Sequence, residues 1–212
     1  RPRAAGVATR HGGLMGPKAN RYLLLGGAGL VLALTAWLFV MVRNRKEAFA
    51  GRALDQATSV AESGNLPLAA SELQKVISGY AGTRAAQEAS IRLNQVRLIN
   101  GQAELAVVGL RDFIKSGPDA QFQSTAYGLL GRALENSGNP ADAAESYQKS
   151  SASATIDYLR AEHLLDAARA FRNAGQNDQA IATYRRILKD FAATGSKTEA
   201  EVRLAELTSG TM

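Results

Sequence analysis

His163 follows directly on Glu162, and a histidine beside a carboxylate is the pairing used in general acid–base chemistry. The setting speaks against that use. Both residues fall in a stretch with helical patterning, where neighbouring side chains point about 100° apart and do not face one another. His163 is therefore read as a surface or groove histidine, and the other histidine, His11, lies in a Gly-rich tail. Cysteine is absent, which removes thiolate nucleophiles, thiolate metal sites and disulfides together. The Gly-rich segments "GLMGPK" and "LLGGAGL" lack the Gly-Lys-Ser/Thr ending and the preceding strand of a phosphate-binding loop. No acidic loop has EF-hand spacing. The expectation is a non-enzymatic chain without cofactor, metal or small-molecule substrate.

A second set of polar residues recurs at a fixed interval. Arg132 and Arg169 are 37 residues apart, as are Asn136 and Asn173, and Arg172 stands beside the last of these. Arginine forks and side-chain amides suit an extended peptide or its carboxylate. The alternative is a solvated helix face partly neutralised by Glu135 and Glu162.

The interval belongs to the whole chain. Gly64, Gly101, Gly138 and Gly175 are spaced by 37. Five residues after them stand Ala69, Ala106, Ala143 and Ala180; nine after, Leu73, Leu110, Tyr147 and Tyr184. Seven before them stand Ala57, Asn94, Gly131 and Ala168. A small residue where two helices approach, with a large one a turn later, predicts helix, short glycine turn, helix, repeated four times.

These columns resemble the tetratricopeptide repeat (TPR) family, whose pattern is a small residue, a turn glycine, an alanine and then a bulky residue. Gly131, Gly138, Ala143 and Tyr147 match it, as do Ala168, Gly175, Ala180 and Tyr184. The departures are a period of 37 instead of 34, which implies longer loops or an added helical turn, and Asn94 in the small-residue column. The resemblance implies an all-α solenoid of about four helix pairs over residues 44–195, closed by a capping helix over 196–212 with Ser196 as N-cap. It also implies that the first helix of each repeat lines the ligand-binding groove, which places Arg132, Asn136, Arg169, Arg172 and Asn173 there.

Ahead of the repeats, Tyr22 to Val42 is 21 residues without a charge, flanked by Arg21 and Arg43. At about 1.5 Å per residue this is the length that crosses a bilayer, so a transmembrane helix is expected over 21–43. "AFA" at 48–50 has the small-x-small form of a signal cleavage site, but the apolar run is long for a signal peptide and "RNRKE" separates the two. With neither Gly nor Pro from Leu30 to Ala50, the helix is predicted to continue past Val42 to at least Ala50. Gly29 and Ala33 form a small-xxx-small pair suited to packing another membrane helix.

Residues 1–46 carry eight of the 25 Arg and Lys and no acid, so the +6 net charge describes the anchor and its flanks. Residues 1–20 are expected to form a basic extended tail. In it Arg1, Arg3, Arg10 and Lys18 would meet carboxylates or anionic lipid headgroups, and Leu14 and Met15 would fill an apolar notch. The tail lacks the interleaved aromatics of nucleic-acid binders, so nucleic acid is not expected as a partner. Five basic residues precede the apolar run and four follow it closely, which places the N-terminus in the cytoplasm and the repeats in the periplasm. In plan the chain resembles the bitopic TPR proteins of bacterial inner membranes, one branch of which is an ancillary translocon subunit. Two functions fit: a structural subunit bracing a large respiratory, photosynthetic or translocon complex, or a tethered adaptor holding client peptides in its groove.

Overall fold

The computed structural model describes the backbone of residues 17–209 and the side-chain environments of residue 27 and residues 29–209. Arg1, Arg3, Arg10, Leu14 and Met15 lie outside the described residues, as do the side chains of Lys18 and of the first part of the apolar run, 22–26 and 28. Among the described residues there are nine α-helices and no strand: α1 (Pro17–Glu62), α2 (Leu66–Gly79), α3 (Arg84–Ile99), α4 (Ala103–Lys115), α5 (Ala120–Asn136), α6 (Pro140–Ser153), α7 (Asp157–Asn173), α8 (Asn177–Asp190) and α9 (Ser196–Ser209).

The chain divides into two compact units, Arg1–Arg45 and Lys46–Met212. Helix α1 begins at Pro17, four residues before the expected start at 21. Proline suits a first helical turn, because its missing N–H would be unpaired there in any case. The helix then continues through Val42 to Glu62. Among the described residues no helix is long and apolar enough to cross a membrane. Within the first unit Thr35 returns its hydroxyl to the carbonyls of Val31 and Leu32, at 3.0 and 2.9 Å, leaving no polar group to satisfy.

The second unit is a stack of antiparallel helix pairs: the end of α1 with α2, then α3 with α4, α5 with α6, α7 with α8, and α9 against α8 and α7. The four phased glycines all have positive φ, between 71° and 84°. They are the left-handed residues that end each first helix, where any side chain would be strained. Loops between pairs are three or four residues long, so the 37-residue period is made up in the helices. Ala69, Ala106, Ala143 and Ala180 are fully buried, and the bulky residues a turn later fill the space beside them. Gly131 allows the closest approach: a Cβ there would lie 2.6 Å from the Tyr147 ring.

Asn94 does not break the stack. It is buried, donates from Nδ2 to the Ser90 carbonyl at 2.8 Å and accepts from Arg97 at 3.1 Å. Room for it comes from Gly109 across the interface, where a Cβ would lie 2.5 Å from Asn94 Oδ1.

The N-terminus of α3 is capped from α1. Glu47 accepts from the backbone N–H groups of Arg84 and Ala85, both at 2.9 Å, while Thr83 accepts from Ala86 at 3.1 Å. The carboxylate also meets the positive end of the helix dipole. Glu47→Ala is expected to lower unfolding free energy by about 1–2 kcal/mol, with Glu47→Gln between it and the native chain in urea titrations of the full protein.

Candidate functional site

The first helices of the later repeats present an open cleft of about 420 Å³. Gln95 of α3, Thr125, Gly128 and Arg132 of α5, Tyr147 and Ser153 of α6, and Leu159, Glu162, His163 and Asp166 of α7 are among the residues that line it. Ser124 of the lining is paired with Ser150 of α6. Ser124 Oγ donates to the Ser150 carbonyl at 3.0 Å, and Ser150 Oγ donates to the Ser124 carbonyl at 2.7 Å. This reciprocal pair locks the start of α5 to the end of α6.

A chain of half-buried charges crosses the wall between repeats three and four. Tyr147 donates its hydroxyl to Glu135 at 2.7 Å. Arg169 reaches the same Glu135 oxygen at 3.2 Å and also pairs with Asp166 at 2.8 Å. Burial, reinforced by Glu135, pushes the Tyr147 pKa far up, so it remains a neutral donor. Burial raises the Asp166 carboxyl against the pull of Arg169. Burial alone would lower the Arg169 pKa, but Asp166 and Glu135 outweigh it and raise it. The guanidinium is thus a structural clamp between α5 and α7.

His163 packs against Gly128, where a Cβ would lie 3.1 Å from its Cε1. Its Nδ1 is buried without a hydrogen-bond partner among the described residues. Burial lowers its pKa, opposed by Asp166 and Glu162. His163 is thus a residue of the cleft lining.

Of the five groove residues expected from sequence, the structure brings only Arg132 to the cleft, exposed and without an ion pair among the described residues. Arg169 is engaged with Glu135 and Asp166, while Arg172 turns to Glu206 of α9 at 3.7 Å. Asn136 and Asn173 are exposed at the ends of α5 and α7. Glu135 was legible as a neutralising partner. Asp166, not Glu162, is the second; its spacing of three from Arg169 is the helical ion-pair signal that could have found it. Gly29 and Ala33 are exposed, and nothing lies within 4 Å of the Gly29 Cβ position.

Arg169→Ala is expected to cost about 1 kcal/mol of stability by leaving two carboxylates facing each other unpaired, whereas Arg132→Ala should leave stability unchanged. Thermal melts of the two variants separate clamp from free side chain.

Helix pairs in fixed phase, left-handed turn glycines and a groove along the first helices define a helical-repeat scaffold, an architecture suited to protein–protein interaction. The chain belongs to the tetratricopeptide repeat-like family: the tetratricopeptide repeat-like domain matches residues 35–158, and a further tetratricopeptide repeat matches 164–194. Its fold is similar to that of the MamA protein crystal structure, at TM-score 0.61 and 19% identity over 76% of this chain and 82% of that one. It is also similar to the nearly identical TPR-like repeats of a kinesin light chain from Podosopora anserina, at TM-score 0.60 and 19% identity over 76% and 85%. MamA 41-end from Desulfovibrio magneticus RS-1 aligns at TM-score 0.53 and 19% identity over 83% and 96%. No curated protein matches the sequence.

Proposed function

We propose that the chain is a non-enzymatic, membrane-anchored TPR scaffold that braces a multi-subunit complex of a bacterial inner membrane, its N-terminus cytoplasmic and its repeats periplasmic. One observation carries the reading. Nine large apolar side chains from Leu30 to Val42 are 49 to 69% exposed, and their positions run round every face of the helix. A helix apolar on all sides needs a non-aqueous surrounding, from lipid or from neighbouring subunits. Gly29 and Ala33 offer such a subunit close approach, and the basic tail with Leu14 and Met15 adds contacts to subunits or lipid. The internal pairing of Arg169 and Arg172 fits a groove whose charges serve the solenoid itself.

The test is purification from native membranes in mild detergent, with mass spectrometry of the proteins that co-migrate. A fixed, stoichiometric set of subunits that weakens on deletion of residues 1–18 supports the brace. The cleft and its unpaired Arg132 favour the second reading, a tethered adaptor for peptides ending in or rich in carboxylates. Substoichiometric, exchanging clients lost on Arg132→Ala and in raised salt would establish that reading over the first.

A further inference from the structure

The charges of the second helices are segregated along their length. The last six residues of α2, α4, α6 and α8 together hold seven Arg or Lys and two acids, while the first six hold four acids and no cation. A cation in the last turn answers the helix dipole, which accounts for Lys115 and Lys189. Lys149 and Arg185 stand further upstream, beyond the reach of that effect, while Lys75 pairs with Glu72 of its own helix at 2.8 Å.

All these ends lie on one edge of the repeat unit, opposite the glycine turns. Hydrogen bonds link helix ends and loops along it: Lys46 Nζ to the Ala81 carbonyl at 2.8 Å, the Asp119 N–H to the Gln87 side chain at 2.9 Å, Ser124 to Ser150, and Ser151 Oγ to the Arg160 carbonyl at 2.9 Å. Arg84, Lys115, Lys149, Arg185 and Lys189 are exposed there and form no ion pair among the described residues. Arg111 is instead drawn to Asp142 and Arg186 to Asp190. Against the free cations stand the exposed Asp112 and Asp119. The α6–α7 loop and the first turn of α7 add two exposed apolar residues, Ile156 at 58% and Tyr158 at 55%.

The chain enters the repeat unit by this same edge. Lys46, the unit's first residue, bonds to Ala81, and Glu47 bonds to Arg84 and Ala85. Only Arg43, Asn44 and Arg45 separate it in sequence from Val42, the end of the apolar run.

We propose that this basic edge docks the repeat unit on the anionic headgroup surface of the membrane, with Ile156 and Tyr158 entering the interfacial layer. The proposal rests on reading the Tyr22–Val42 run as a span. Unpaired cations on one edge are attracted by anionic lipid, and tyrosine is the residue type favoured at that depth. An acidic protein would match the same charges, but the tether presents lipid to this edge at a high effective concentration. The attraction acts within a Debye length, about 8–10 Å, so it operates only once tethering has brought the edge near.

The experiment uses the full chain in nanodiscs of phosphatidylcholine alone or mixed with phosphatidylglycerol. Two readouts are taken: amide hydrogen exchange, and quenching of Trp37 fluorescence by brominated lipid. Docking is expected to slow exchange several-fold in residues 154–159 and 80–84 with anionic lipid. The turns at Gly101 and Gly138 should be unchanged. Lys149→Glu/Arg185→Glu/Lys189→Glu is expected to abolish the protection, whereas Glu104→Lys/Asp178→Lys on the opposite edge should leave it intact. Equal exchange in both lipids, with Trp37 quenched, overturns the docking and leaves the span standing. An unquenched Trp37 overturns the span and the docking with it. If lipid has no effect but the triple variant loses a co-purifying protein, the edge belongs to that protein and lipid docking is refuted.

Discussion

Tyr184→Ala is expected to lower the unfolding free energy of the repeat unit by about 3–5 kcal/mol, the cost of emptying a well-packed aromatic site. Tyr184 is 2% exposed and lies in a core that also contains Leu164, Phe171, Ile187 and Ala200. Its ring fills the space beside Ala180 in the last repeat, the one that α9 closes. Single domains have about 5–15 kcal/mol in total, so the variant should be half unfolded at far lower urea in pulse proteolysis of the full chain. The Tyr184 hydroxyl makes no hydrogen bond to the described residues, so Tyr184→Phe, which keeps the ring, is expected to lose less than about 1 kcal/mol. Near-equal losses for Ala and Phe would show that the ring is not what holds the last repeat.

Gly131→Leu and Gly51→Ala are expected to act in opposite directions although both place a better helix former in a helix. Replacing glycine by alanine within a helix favours folding by about 1 kcal/mol. At Gly51 nothing lies within 4 Å of the added Cβ, so that gain should appear in full. At Gly131 the Cβ would stand 2.6 to 2.8 Å from three ring carbons of Tyr147. That ring cannot retreat cheaply, because it is 3% exposed and its hydroxyl is bound to Glu135 at 2.7 Å. Gly131→Leu is therefore expected to cost about 1–3 kcal/mol or more by overpacking. Calorimetric melts of the two variants should move to either side of the native midpoint; a rise for both would place Gly131 outside the helix interface.

The repeat register was legible because it rests on backbone and volume. A residue held at positive φ must be glycine in practice, and a residue between touching helices must be small, so Gly64, Gly101, Gly138, Gly175 and the alanine column declare themselves at a fixed interval. Asn94 looked like decay of the pattern because its compensation, Gly109, lies in the facing helix, where a single column cannot show it. Glu47 was unreadable as a cap for a related reason: the N–H groups it satisfies are 37 and 38 residues away. Arg132 and Arg169 lie on α5 and α7, and which of them stays free depends on side-chain reach. They occupy equivalent positions in successive repeats and each has a carboxylate three residues away, Glu135 and Asp166, yet Glu135 pairs across the interface with Arg169 and leaves Arg132 free of an ion pair among the described residues. Chemistry shared by a column is thus a weaker guide than geometry shared by it.

The hydrophobic interior of the repeat unit is in two pieces. One runs from Ala50 through Leu73 and Val76 to Val96; the other runs from Ile91 through Tyr147 and Tyr184 to Ala200, and α3 contributes to both. The first piece has no fully buried aromatic, while the second holds Phe113, Tyr147, Phe171 and Tyr184. In a solenoid, stability is approximately a sum over units and nearest-neighbour interfaces, so a seam in the interior is a seam in cooperativity. The repeats are then expected to melt as two blocks that share one helix, with the smaller-residue block, next to the apolar helix in sequence, yielding first. It is a compliant coupling between whatever holds the apolar helix and the stiffer block that bears the cleft, able to absorb strain by local opening while the cleft keeps its form.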